Sequence, residues 1–256
     1  MSTRPDIRPP GEVRVIPLSG IPELEEGDDL AQLLAEAAGR AGGIELGDVI
    51  VVAQKAVSKA EGRIVRLSDV EPSQRARELA GEEGDPRHVE VILRESAEVV
   101  RSRPPLVISE TLHGFVCASA GVDASNAKGP DTVILLPVDP DASAATLRAR
   151  LEQLTGVAPG VVISDSFGRA WRQGTTDIAL GVAGITALLD LRGSTDSVGY
   201  ELHSTTIAVA DEIAGAAELV MGKANRIPAA IVRGVAVDGS GRAADLVMPR
   251  ERDLFR

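Results

Sequence analysis

The stretch Val161-Val162-Ile163-Ser164-Asp165-Ser166-Phe167-Gly168-Arg169 runs from apolar and small residues straight into an acid, a hydroxyl, a glycine and a cation. Such a run reads as a buried strand that delivers Asp165 and Ser166 to a polar edge. A second acid has a similar setting in Gly121-Val122-Asp123-Ala124-Ser125-Asn126, after the apolar Phe115-Val116-Cys117-Ala118. Two carboxylates at loop positions can share a hard divalent cation, with Ser166 as a further oxygen ligand and Asn126 as a donor to a bound molecule. The bland alternative stays open: Asp123 and Asn126 also suit Asx turns, and Asp165 suits a helix N-cap.

Outward from these segments, strands and helices alternate irregularly. Val13 to Leu18 reads as a short strand. Leu30, Leu33, Leu34 and Ala37 form an i, i+3, i+4, i+7 face behind Gly27-Asp28-Asp29, so a helix with an Asp cap is expected up to Gly39–Gly43. Val49 to Ala53 is a continuous apolar strand whose exit carries Gln54, Lys55, Ser58 and Lys59. Ser58 and Glu61 are spaced as a capping box, although Gly62 argues against a helix continuing there. Ser68 to Ser102 reads as helical and charged. Thr132 to Pro137 is a strand, followed by a helix through Leu147, Leu151 and Leu154. Thr176-Asp177 opens an Ala/Gly-rich segment to Leu191, Leu202 to Val209 alternates like a strand, Ala210 to Val220 is a helix, and Ile227 to Val235 a closing strand. The expected fold class is α+β, with mixed sheets and helices, neither Rossmann nor P-loop. Residues 1–11 are rich in Pro and charge and read as a flexible arm, leaving 12–256 as a single domain. The polar tail from Gly239 is expected to wrap the surface.

Composition narrows the function. The 256 residues are 44% hydrophobic, enough for a large core, but only 2% aromatic, which leaves few platforms for stacking single-stranded nucleic acid. A formal charge of -11 repels nucleic acid and anionic membranes at long range, so no such partner is expected. An anionic ligand then needs local cations or a bound metal. The one cysteine, Cys117, sits in an apolar segment and reads as core. Without an apolar leader or a span-length apolar run, the expected location is cytoplasmic.

Familiar catalytic motifs are missing. Gly222-Lys223 is followed by Ala224 and preceded by Ala217 where a P-loop needs its first glycine. There is no H-E-x-x-H, no G-x-S-x-G elbow, and His88, His113 and His203 lie in unrelated settings. What remains is a set of polar positions at strand exits: Ser19-Gly20, Gln54-Lys55, Ser58-Lys59, Asp123, Asn126, Asp165-Ser166 and Arg169. Glycines admit backbone amides to phosphate, lysines neutralise it, and paired acids hold the metal that bridges it.

In order along the chain these segments resemble the coenzyme F-420-0:L-glutamate ligase family, also called the F-420 gamma-glutamyl ligases. The matching text is Gly20-Ile21-Pro22 with Gly27-Asp28-Asp29-Leu30, Gln54 through Arg63, Ala120 through Asn126, Ser164 through Arg169 with Trp171-Arg172, and Ala210-Asp211-Glu212 through Lys223. The resemblance implies a homodimeric, GTP-dependent enzyme that joins L-glutamate to F-420-0, a 5-deazaflavin with a phospholactate tail, and adds further gamma-linked glutamates. It implies divalent Mn or Mg, with two ions expected, and potassium. Carried over residue by residue, Asp123 and Asp165 would ligate one metal and Ser166 a second. Leu18, Ser19, Gly20, Ile21, Gln54, Lys55, Lys59 and Asn126 would contact GTP. Lys223 departs from the pattern, standing where relatives often carry a ligand of the second metal. The flavin-reductase extension of some actinobacterial relatives is not expected. Two other classes remain open: an amide ligase for another carboxylate acceptor, and a nonenzymatic nucleotide-binding protein.

Overall fold

The structure, a computed structural model, describes residues 11–125, 129, 131–235 and 237–255. The arm read over 1–11 lies outside the described residues except for Gly11, and so does Asn126.

The chain begins with β1 (Arg14–Pro17), α1 (Leu30–Arg40), β2 (Val49–Ala53) and α2 (Gln54–Ala60), followed by β3 (Ile64–Arg66), α3 (Gln74–Ala80) and α4 (Pro86–Arg94). Strands β4 (Ser96–Arg103), β5 (Leu106–Thr111), β6 (Val116–Ala118) and β7 (Thr132–Ile134) precede α5 (Pro140–Thr155). The remainder is β8 (Gly160–Arg169), β9 (Arg172–Ala183), β10 (Leu189–Asp190), β11 (Thr206–Ile207), α6 (Val209–Met221) and β12 (Ala229–Arg233). The class is α+β, as expected.

The central sheet has the order β1-β12-β2-β8-β9, in which only β2 and β8 run parallel. Both of its faces are covered, which is why β2 is apolar at every position. Ile50, Val52, Val161 and Ile163 pack toward Leu30, Leu34 and Ala37 of α1 and Ala144, Leu147 and Leu151 of α5. Val49, Val51 and Val162 pack on the other side with Ile213, Ala214 and Ala217 of α6 and with Phe115 and Cys117. A separate core under the β4-β5-β6 sheet gathers Ala76, Val89, Ile92, Val107, Val122 and Val133.

Local chemistry sets the helix starts. The Asp29 carboxylate accepts from the Gln32 amide at 3.0 Å, and Asp139 accepts from Ala142 at 3.0 Å with Pro140 in the first turn of α5. Alpha-helix α2 follows β2 without a loop and stops at Glu61, where Gly62 takes φ +68°. Ser58 lies inside that helix, so it caps nothing.

The Ala/Gly-rich segment opened by Thr176-Asp177, to which the sequence assigned no element, belongs to the twelve-residue strand β9 as far as Ala183, its small residues letting α5 pack closely. Three readings need correction. The 68–102 segment is helical only over α3 and α4; Ser96 onward is an edge strand, its charges facing solvent as edge strands require. The strand expected over 202–209 shrinks to Thr206–Ile207. Asp165 caps no helix and sits in no loop: β8 continues through it to Arg169, paired with β9 across a tight turn at Ala170-Trp171.

Candidate functional site

Two adjoining hollows lie at the ends of β2 and β8. The smaller, about 170 Å³, is lined by Asp123, Asp165 and Ser166 together with Cys117, Phe167 and Lys223. Parallel pairing of Ala53 with Ser164 places the exit of β2 beside Asp165, while an antiparallel bridge of Asp123 to Ile134 brings in the second acid. The two carboxylates named from the sequence therefore converge.

They are held in opposite electrostatic states. Burial works to raise the Asp123 pKa, but hydrogen bonds from the Lys55 ammonium and the Ser125 amide, with the Lys55 charge, hold it below the ordinary carboxylate value. The Lys55 Nζ to Asp123 Oδ2 distance is 2.7 Å, and the Ser125 amide donates to Oδ1 at 2.6 Å, an Asx turn. Asp165 is raised to about 6: desolvation at the cavity wall outweighs its hydrogen bond from the Ser166 amide and the charges of Lys223 and Lys55, and the Asp177 charge adds to the rise. Cys117 is core, as expected, and burial with the nearby Asp165 charge pushes its thiol up to about 12.

The larger hollow, about 760 Å³, falls in the range of small-molecule sites. Lys55, Lys59, Lys223 and Arg226 line it against a single acid, Glu23. This is a cationic groove in a protein of net charge -11. Lys59 is buried and its ammonium is paired with Glu23.

The nucleotide residues expected from the sequence are dispersed around this groove. Ile21, Lys55 and Lys59 line it. Ser19 and Gly20 form the loop beside Ile21, where Gly20 has φ +78° and both carbonyls accept from Arg40 Nη2 at 3.2 and 3.3 Å. Leu18 is fully buried, its amide donating to Ala229 O at 2.9 Å. Gln54 is buried too; its amide donates to Ser58 Oγ at 2.6 Å and Leu135 O at 2.8 Å, locking α2 to the segment after β7. Asn126 lies outside the described residues.

Sequence reasoning passed over two members. Asp177 is buried and accepts from Ser164 Oγ at 2.9 Å and Ser166 Oγ at 2.6 Å. Its signal was the β8–β9 register, in which Ser166 faces Asp177, and that register is invisible without the turn at Trp171. Lys223 was noted only as a departure, yet it lines both hollows. It follows Gly222, whose φ of +57° ends α6, so its cation stands at the negative end of the helix dipole.

The donor chemistry fits one divalent ion if the ion takes the place of the Lys55 ammonium at Asp123 Oδ2. Mg²⁺ and Mn²⁺ are commonly held by one or two carboxylates with waters and phosphate oxygens completing the shell, and Asp123 and Asp165 at the groove's edge supply that set. A second ion fits poorly. Ser166 offers one neutral oxygen, already donating to Asp177, beside the Lys223 ammonium. Among the described residues no three His, Cys, Asp or Glu side chains cluster as a metal site by themselves. No helix of the described residues is long and apolar enough to cross a membrane.

Comparison with known proteins supplies the context. Residues 20–234 match the family described as F420-0:Gamma-glutamyl ligase. A protein of Methanopyrus kandleri named coenzyme F420:L-glutamate ligase is 46% identical over 251 residues, covering 95% of this chain and 98% of the relative. Proteins of the same name from Methanocaldococcus jannaschii (48% identical; 83% of this chain, 86% of the relative) and Methanothermobacter thermautotrophicus (43%; 95% and 99%) are similarly matched.

Proposed function

Because this chain belongs to the F420-0:gamma-glutamyl ligase family, we propose that it is a GTP-dependent ligase that adds L-glutamate to coenzyme F-420-0 and extends it through gamma-glutamyl linkages, releasing GDP and phosphate. The observation that carries the reading is the convergence of Asp123 and Asp165 in one pocket that opens beside a cationic groove.

The chemistry follows from charge. A carboxylate is a poor electrophile, so the acceptor carboxylate takes the γ-phosphoryl group of GTP, giving an acyl phosphate and GDP. The glutamate amine then attacks the acyl carbon, an amide bond forms, and inorganic phosphate leaves with the C–O bond electrons. Every reactant is anionic, so catalysis rests on neutralisation and in-line positioning. Lys55, Lys59 and Arg226 line the groove that takes the triphosphate, with the Ser19-Gly20-Ile21 loop at its rim. Asp123 and Asp165 would hold the divalent ion, Mn or Mg, which when bound neutralises phosphoryl oxygens. Lys55, paired with Asp123, couples the nucleotide groove to the metal pocket. A potassium ion, a cytoplasmic location, residues 12–256 working as one ligase domain on neither a Rossmann nor a P-loop frame, and a homodimer complete the proposal. Support for the dimer is an exposed aromatic cluster at the β8–β9 tip, where Trp171 and Phe255 stack edge-on with ring centroids 4.7 Å apart.

Mass spectrometry tests it. Incubated with GTP, Mn²⁺, glutamate and F-420-0, the protein should yield acceptor heavier by one or more glutamyl units with matching GDP release. Unchanged acceptor mass despite bound GTP contradicts the proposal.

A further inference from the structure

Lys223 is the sole described residue lining both the groove and the diacid pocket. Of the other groove cations, Lys55 is paired with Asp123 and Lys59 with Glu23, while Arg226 lines the groove but not the diacid pocket. Among the described residues Lys223 itself makes no ion pair, and it is solvent-exposed, so its ammonium is free to meet a ligand. Where the groove meets the diacid pocket, Lys223 stands unpaired beside the Lys55–Asp123 ion pair. At the same junction Ser166 brings a neutral hydroxyl already donating to Asp177, a poor seat for a dication beside an ammonium.

We propose that Lys223, at the junction of the nucleotide groove and the Asp123–Asp165 pocket, is the cation that contacts the transferring γ-phosphoryl group in place of a second divalent ion, so that the site works with one divalent ion per nucleotide. The inference rests on the ligase reading above. Lysine is a point charge on a flexible stem, suited to following a phosphoryl group from nucleotide to carboxylate without being consumed. It acts only as a charge, forming and breaking no bond, so the phosphoryl-transfer and amide-forming steps retain their balance.

The test uses the full chain. Mn²⁺ is titrated, with electron paramagnetic resonance detecting free ion, against the wild type and Lys223→Gln, each saturated with a β,γ-imido GTP analogue. The wild type should hold one ion per chain. Lys223→Gln should lose its preference for the GTP analogue over GDP by about tenfold and lose turnover by roughly 100-fold, the scale seen when one transition-state donor is removed. Lys223→Arg should recover part of both, and an unchanged melting temperature will show that this exposed position leaves the fold intact. Two ions per chain in the wild type, or an unaltered GTP-over-GDP preference in Lys223→Gln, overturns the inference. If the wild type makes glutamylated F-420-0 with GTP while either of those results holds, only the role of Lys223 falls. If the wild type neither binds GTP nor makes product, the ligase reading falls with it.

Discussion

In the proposed site, stability and activity meet at the Asp165 carboxyl. Its pKa is raised from 3.8 to about 6 in the folded chain, chiefly by desolvation. A folded state that holds its proton more tightly than the unfolded one is favoured below the unfolded pKa, and that advantage is lost as pH rises through the folded pKa. In the metal-free protein, stability should therefore fall by about 1–3 kcal/mol between roughly pH 4 and 6, discounted for water in the open pocket. Asp165→Asn removes the penalty and, under the proposed function, the metal ligand with it. Its melting temperature at pH 7 should match or exceed that of the wild type, while turnover drops at least about 100-fold. A variant that keeps wild-type turnover takes Asp165 out of the chemistry. If Asp165 holds the proposed metal, protons compete with it there, and Mn²⁺ affinity measured by calorimetry should weaken as pH falls below about 6. Asp123 behaves oppositely, since Lys55 and the Ser125 amide already hold it ionised.

At the scale of elements, β9, the strand that carries Asp177, is fixed by its close contact with α5. A Cβ at Gly181 would lie 2.2 Å from the Pro140 carbonyl oxygen, a backbone atom that cannot swing aside. Gly181→Ala should therefore push the start of α5 off β9 and destabilise by about 1–3 kcal/mol in a denaturant titration; a loss below a few tenths would mean that α5 slides freely. This contact also explains what the sequence made legible. Strand β2 and the start of β8 announced themselves because both sheet faces are covered, leaving an unbroken apolar run. Helices α1, α5 and α6 carried caps or apolar periodicity. Strand β9 was hidden because Ala179, Gly181 and Ala183 alternate with Ile178, Leu180 and Val182 there, small residues that let α5 pack closely and that dilute the apolar run. Asp123 and Asp165 stood out as acids at the ends of apolar runs. Asp177 did not, since its role comes from cross-strand register, and neither did Gln54, whose amide is spent inside the core rather than on the groove.

Over the whole molecule, a net charge of -11 surrounds a groove lined by three lysines and an arginine, so an anionic ligand would be repelled at a distance and attracted only at the groove. Under the proposed homodimer, the exposed Trp171 and Phe255 are the candidate contact. Trp171→Ser should shift the sedimentation velocity profile toward monomer; an unchanged profile removes that tip from the interface. The central claim is that the paired aspartates and the cationic groove form a single metal–nucleotide site. Its most direct measurement is an anomalous-scattering map of crystals containing Mn²⁺ and GDP. The account predicts a manganese peak between Asp123 and Asp165, with the diphosphate beside it against Lys55 and Lys59. Manganese away from both carboxylates, or GDP seated in the separate hollow between α1 and α5 lined by Asp29, Val57 and Arg150, would contradict it.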